Sequence, residues 1–145
     1  MAGLLTSSAA AKPDAVALEL QRWAREPFDP VTANCGLSIL DYAERITGGV
    51  VNPSPRHLNG FAMLALAADP DQFLDYASWI LAQLGCAITE KPVRGDVGLA
   101  DLAGSGLTAA LCLGDGQWAA RMAHGLAIGP APARRAWEVR RCPKR

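Results

Sequence analysis

The fold of this chain is decided by a pattern in its second half, Leu107-Thr-Ala-Ala-Leu-Cys-Leu-Gly-Asp-Gly-Gln-Trp-Ala-Ala-Arg-Met122. Two short apolar runs flank Gly114-Asp115-Gly116, which favours the tight turn of a β-hairpin. Other apolar runs bounded by glycine or proline have similar lengths. We therefore expect a small antiparallel sheet with strands at Val97–Leu102, Leu107–Leu113, Gln117–Met122 and Ala136–Arg140.

The first half of the chain has helical patterns instead. Asp14–Arg25 places Val16, Leu20 and Trp23 on one stripe, as in a helix with one buried face. Asn34 is a suitable N-cap for a second helix over Cys35–Thr47, which Gly48 ends.

Two further helices are predicted before the sheet. Phe61–Ala68 is rich in alanine and leucine and is predicted to be helical. Asp69-Pro70-Asp71-Gln72 is a strong helix start, and that helix ends at Gly85. Helices followed by antiparallel strands imply an α+β fold, with the helices packed on one face of the sheet.

Length and charge limit the possible functions. The 145 residues suit a single domain, which we place at residues 13–141, with a flexible N-terminal arm at 1–12 and a basic C-terminal tail at 142–145. Fourteen basic residues balance fourteen acidic ones, so an electrostatic grip on nucleic acid is excluded as the default. No apolar run is long enough to span a bilayer, so membrane insertion is not expected.

The four cysteines are Cys35, Cys86, Cys112 and Cys142, and they are widely scattered. Their spacing matches neither a zinc site nor a disulfide framework, and synthesis in a reducing cytoplasm is the simplest assumption. No glycine-rich phosphate loop is present. We therefore expect no metal and no cofactor.

Cys35 is the candidate nucleophile. It opens a predicted helix, where unpaired backbone N–H groups and the helix dipole favour thiolate over thiol. A catalytic thiol also needs a histidine to move the proton and a third polar group to orient the imidazole. A buried, inert cysteine is the alternative.

The order of several motifs carries a family resemblance: Arg25-Glu26-Pro27-Phe28, Asn34-Cys35, Gly95-Asp96-Val97, Leu113-Gly114-Asp115-Gly116 and Ala136-Trp137-Glu138-Val139. In this order they resemble the NlpC-type, papain-like cysteine peptidases, and most closely a small phage-encoded relative of that family. The resemblance covers the chain from about Asp14 to Arg140. It implies a papain-like fold, cleavage of amide bonds in peptidoglycan peptides and, for phage members, a place in the tail.

Carried over residue by residue, the resemblance implies an incomplete catalytic set. Cys35 matches the nucleophile, but the position of the family's histidine falls on Thr108 and that of its third polar residue on Ala120 or close to it. Threonine cannot act as a general base near neutral pH, because its hydroxyl does not titrate there. The residue before the cysteine is Asn34 where the family has aspartate.

The chain contains only two histidines. His124 follows the third predicted strand and is the candidate base of a Cys35–His124 dyad, if the end of that strand is shifted toward the cysteine. His57 lies in a proline-rich loop that could border the cleft. Both also fit solvent-facing loop positions.

Other candidate residues have structural explanations. Asp96 is a candidate catalytic carboxylate, but its position favours capping of a strand or turn, with Arg94 as its ion-pair partner. Asp115 belongs to the hairpin turn. Core packing explains the tryptophans better than carbohydrate binding does: Trp23, Trp79, Trp118 and Trp137.

Three functional hypotheses follow. The preferred one is a structural component of a phage or phage-like tail tip, located in the virion tail after synthesis in the host cytoplasm, with other tail-tip proteins as partners. The alternative is an active peptidoglycan-cleaving cysteine endopeptidase that uses Cys35 with His124 and binds cell-wall peptide. The third is a cellular binding module unrelated to phage.

Overall fold

The computed structural model describes residues 14–30, 34–58, 62, 65–66, 68–102, 104, 106–123 and 125–140. Within these residues, the helices α1 (Ala15–Arg25), α2 (Cys35–Thr47) and α3 (Pro70–Gln83) and a 3₁₀ turn at Pro55–His57 precede the sheet. The strands are β1 (Val97–Asp101), β2 (Leu107–Gly114), β3 (Gln117–Met122), β4 (Gly125–Pro130) and β5 (Ala133–Trp137). The α+β class is confirmed. The predicted arm and basic tail lie outside the described residues, and the domain bounds stay a prediction.

A polar side chain caps the start of each described α-helix, and Asn34 and Asp69 are the caps that the sequence predicts. Asp14, Asn34 and Asp69 each accept a hydrogen bond from the backbone N–H three residues further on, at 2.8, 2.9 and 3.2 Å. These bonds satisfy donors that a helix leaves unpaired at its first turn. Of the predicted helix Phe61–Ala68, the described residues have helical backbone: Ala62, Ala65, Leu66 and Ala68. None of the described helices combines the length and apolar character needed to cross a bilayer.

The five strands form one antiparallel sheet in the order β4-β3-β2-β1-β5. The predicted hairpin joins β2 to β3 through Asp115 and Gly116, whose φ angles are 54° and 75°. Positive φ at both central residues is the geometry of a type I′ turn, which asparagine, aspartate and glycine adopt most readily. The hairpin places β2 at the centre of the sheet.

The last strand differs from the prediction. It covers Ala133–Trp137 instead of Ala136–Arg140, because the chain leaves the sheet after Trp137. Glu138 N–H donates to the Ala87 carbonyl at 2.8 Å, and Val139 N–H donates to a carboxylate oxygen at 3.3 Å. Strand β4 was not predicted, because Gly125, Gly129 and Pro130 weaken its strand pattern; proline is tolerated there because β4 is an edge strand.

The two faces of the sheet carry different side chains. The helix-covered face contributes large residues to the main core, among them Leu99, Leu111 and Trp137. The opposite face has a smaller core, composed of Leu102, Ala110, Cys112, Trp118, Ala120 and Ala136. Trp118 is 1% exposed and covers Gly98, where an added Cβ would lie 2.9 Å from the indole ring.

Three of the four tryptophans lie in the core as predicted: Trp23, Trp118 and Trp137. Trp79 does not, because it projects from α3 with 47% of its surface exposed and stacks on Tyr76 at a ring-centroid distance of 6.0 Å. The prediction of core packing is wrong for that residue.

Helices α1 and α2 are joined by a buried carboxylate. Glu19 is 2% exposed and accepts a hydrogen bond from the Trp23 Nε1–H, one turn along α1, at 2.8 Å. Its other oxygen forms an ion pair with Arg45 of α2. The contact fixes these two helices side by side on the sheet.

Candidate functional site

Cys35 is the first residue of α2 and lies, half-buried, at a cavity between the helices and the sheet. The cavity has a volume of about 280 Å³. Its walls are mainly apolar and include Phe28, Leu37, Leu40, Phe73, Tyr76, Ile80, Leu107, Ala109 and Trp137. The candidate nucleophile therefore lies at a hydrophobic cavity, which we call the cysteine cavity.

Burial raises the pKa of the Cys35 thiol. Hydrogen bonding to the backbone of Ala109 and of Gly36 acts in the opposite direction, but the loss of solvation is the larger effect. The expectation that the helix start would favour the thiolate is thus corrected. At neutral pH, Cys35 is in its protonated, weakly nucleophilic form.

The residue of β2 that meets Cys35 is Ala109, not Thr108. Ala109 belongs to the main core and lines the cysteine cavity. Thr108 is buried but points to the opposite face of the sheet, since successive side chains of a strand alternate between faces. Thr108, on which the resemblance places the family's histidine, therefore does not face the cysteine cavity, and the β2 residue next to it that does is Ala109.

The position that the resemblance assigns on β3 also faces away from the cysteine cavity. Ala120, assigned to the third polar position, lies in the smaller core on the far face. Its neighbour Arg121 points toward the helices and is 5% exposed. The Arg121 guanidinium donates to the carbonyls of Glu26 and Pro27 at 2.5 and 2.9 Å, and to Ser38 Oγ at 3.3 Å. Ser38 follows Cys35 by about one helical turn.

Arg121 lines a second cavity, of about 290 Å³, which we call the arginine cavity. Phe28 lines both cavities, so its ring forms part of the boundary between them. Arg121 was not among the functional residues predicted from the sequence. The available signal was a single charged side chain in an otherwise apolar strand pattern, on the same alternating face as Ala119.

The described structure brings no histidine to Cys35. The proline-rich loop does border the cysteine cavity through Pro55 and Leu58, as predicted, but His57 itself is exposed and does not line it. His124 lies outside the described residues. Its flanking residues Ala123 and Gly125 line the arginine cavity and not the cysteine cavity.

Asp96 has a structural role. It is buried, and its carboxylate accepts hydrogen bonds from the Val93 N–H at 2.9 Å and the Val139 N–H at 3.3 Å, which confirms the predicted capping. The predicted ion pair with Arg94 is wrong. Arg94 pairs with Asp14 at 2.6 Å instead, and this hydrogen bond lowers the pKa of Asp14 to about 2.

Cys86 and Cys112 are buried and do not line the cysteine cavity, and Cys142 lies outside the described residues. Within the described part of the chain, no three His, Cys, Asp or Glu side chains form a group that could hold a metal ion.

The chain matches one family model, described as "Domain of unknown function (DUF6950)", over residues 10–139. No curated protein and no solved structure matches the chain. The matched range contains Cys35, Arg121 and every helix and strand named above. The chain therefore belongs to the DUF6950 family, a family of domains of unknown function.

Proposed function

We propose that this chain is a structural component of a phage or phage-like tail tip, built on an NlpC-type, papain-like cysteine peptidase fold without a catalytic base. The observation that carries the proposal is the contact of Cys35 with Ala109. The sulfur at a helix start lies against an alanine of β2, where a cysteine peptidase needs an imidazole.

The arrangement of elements supports the NlpC-type part of the proposal. A cysteine opens a helix that packs on the central strand of an antiparallel sheet, and the helices precede the sheet in the chain. Gly95-Asp96-Val97 leads into the strand next to it. The Asn34-Cys35 and Gly95-Asp96-Val97 motifs, on which the resemblance rests, thus lie at the start of a helix and at the start of a strand.

The chemistry of the site supports loss of activity. The thiol has a raised pKa, and no described residue that lines its cavity is a histidine. General acid–base catalysis contributes roughly 10²- to 10⁴-fold to a rate, so a site without a base forfeits most of its catalytic power. A neutral thiol in an apolar cavity stabilises the fold by packing instead.

The proposed location and partners follow from the resemblance to a phage-encoded relative. We place the protein in the virion tail after synthesis in the host cytoplasm, in contact with other tail-tip proteins and with cell-wall peptide at the host surface. Balanced charge argues against nucleic acid as a partner. The predicted N-terminal arm and basic tail are the segments that we propose to contact neighbouring subunits.

Thiol reactivity tests the loss of catalysis. The full-length protein is treated with iodoacetamide between pH 6 and 10, and alkylation of Cys35 is followed by mass spectrometry with glutathione as the reference thiol. Cys35 should react more slowly than glutathione near neutral pH, and muropeptides should remain intact. Rapid neutral alkylation would contradict the inert thiol, and muropeptide cleavage that is lost in Cys35→Ala and in His124→Ala but kept in Cys86→Ala would establish the active peptidase with Cys35 and His124 instead.

Particle composition tests the structural role. Particles are purified from producing cells, and tail and head fractions are compared by mass spectrometry and by antibody labelling in the electron microscope. The protein should copurify with the tail fraction and label the tip. Recovery only as a free monomer, with none in the particles, would reject the tail assignment.

A further inference from the structure

We propose that the arginine cavity binds a carboxylate attached to an apolar group, and that Arg121 recognises the carboxylate. The cavity has a volume of about 290 Å³ and lies between α1, the segment that follows it, and the ends of β3 and β4. This site is separate from the cysteine cavity, and the inference does not depend on the proposed tail function.

The first argument is the hydrogen bonding of Arg121. Its terminal nitrogens donate to Ser38 Oγ and to the carbonyls of Glu26 and Pro27. Its Nε is buried and has no hydrogen-bond partner among the described residues. Buried donors are nearly always paired, so an unpaired N–H on an arginine that lines a cavity indicates a binding role.

The second argument is charge. Arginine is rarely buried unless an acid neutralises it, yet the only ion pair of Arg121 within the described residues is with Glu26, at 4.0 Å. Glu26 is 54% exposed, so its own charge stays solvated, and at 4.0 Å it neutralises the buried guanidinium only weakly. A ligand carboxylate would form charge-assisted hydrogen bonds with a guanidinium that two backbone carbonyls already hold in place.

The third argument is the wall opposite the charge. Trp23, Phe28 and Leu126 line the cavity, and the Trp23 Nε1–H is already used by Glu19. The indole therefore offers mainly apolar surface to a ligand. These walls favour an aromatic or aliphatic group next to the carboxylate over an inorganic anion, which would have charge but no apolar surface to bury.

Nuclear magnetic resonance of the full-length protein tests this site. Benzoate is the probe, and benzamide, which has nearly the same shape but no charge, is its control. The Arg121 Nε–Hε signal should shift downfield and exchange more slowly with added benzoate, and should stay in place with benzamide. A signal that does not move, or that moves equally with both compounds, would overturn the proposal. Arg121 would then serve only to hold β3 against Ser38 and the segment that follows α1.

Two variants sharpen the test. Arg121→Lys keeps the charge but lacks the planar set of donors, so benzoate binding should weaken by at least about tenfold. Arg140→Gln removes an exposed arginine outside the cavity and should bind benzoate as the wild type does. Equal weakening in both variants would show nonspecific charge attraction and reject the site. If Arg121→Lys does not fold, the wild-type titration decides alone.

Discussion

The two faces of the sheet are packed with side chains of different size. Toward the helices, large aliphatic and aromatic side chains interdigitate with α1, α2 and α3, and this face also carries both cavities. On the far face, small residues lie beneath a single tryptophan, Trp118. Successive side chains of a strand point to opposite faces of the sheet. If a role is assigned to the wrong one of two neighbouring residues, a side chain packed under Trp118 is taken for one that lines a cavity.

This difference of one residue matters most for the candidate site. Thr108 and Ala120, the positions that the family resemblance assigned, both point to the far face, while Ala109 and Arg121 point toward the helices. Among the described residues no histidine lines the cysteine cavity, and Ala109 itself has no titratable group. Arg121 does carry a charged group on this face, and the resemblance assigns no role to it.

The largest expected effect on stability comes from removing the Trp118 side chain, which packs over the small residues of the far face. Trp118→Ala leaves a cavity under the smaller core, and we expect it to lower the free energy of unfolding by about 3–5 kcal/mol. Trp79→Ala is the matched control, because that ring is half-exposed, and it should cost less than about 1 kcal/mol. Urea denaturation measures both. Similar losses would show that Trp118 does not hold the far face.

The next effect concerns the close packing beneath that ring. In Gly98→Ala the added Cβ would lie 2.9 Å from the Arg135 carbonyl oxygen and 2.9 Å from the indole, so we expect a loss of about 1–3 kcal/mol. Gly129→Ala, on a strand with no atom within 4 Å of the new Cβ, is the control and should change stability by less than about 0.5 kcal/mol. Equal stability of the two variants in urea would contradict the packing described here.

A histidine scan of β2 distinguishes the faces chemically. Ala109→His places an imidazole at the cysteine cavity, where it can form an ion pair with the thiolate and lower the pKa of Cys35. We expect iodoacetamide to alkylate Cys35 about tenfold faster at pH 7 than in the wild type. Thr108→His, on the far face, should leave that rate unchanged. Faster alkylation in Thr108→His alone would show that Thr108, and not Ala109, faces Cys35.

The smallest expected effect is at the ion pair that fastens α1 to the start of β1. The Arg94 guanidinium lowers the pKa of Asp14 to about 2, so the pair stabilises the fold above about pH 4 and that contribution is lost as the pH falls toward 2. Both side chains are about half exposed, which limits the contribution to about 1 kcal/mol or less. Asp14→Asn keeps the helix cap but should flatten the dependence of unfolding free energy on pH between 2 and 5. A wild-type slope in that variant would assign the dependence to other carboxylates.

Elements with local chemical signals were predictable from the sequence. The helix caps Asn34 and Asp69 and the turn Asp115-Gly116 each act within a few residues, so their patterns suffice. Strand β4 has no such signal, because its pairing partner and its edge position are set by the tertiary fold.

The site was predictable only in part. The position of Cys35 at a helix start follows from its N-cap, but its pKa depends on burial by distant residues, and desolvation outweighs the local helix effect. The face of Thr108 depends on strand register, and the partners of Arg121 are more than 80 residues away in the chain. Neither can be deduced from neighbouring residues.

The carboxylate of Glu19 has a consequence for how α1 and α2 can move. It lies between an indole on its own helix and an arginine on the next, with 2% of its surface exposed. If either helix slid along the other by one turn, the buried carboxylate would lose Arg45 and keep only Trp23 and the 3.8 Å ion pair with Arg22 of its own helix, which leaves a buried charge less well compensated. We therefore expect α1 and α2 to move together as one unit.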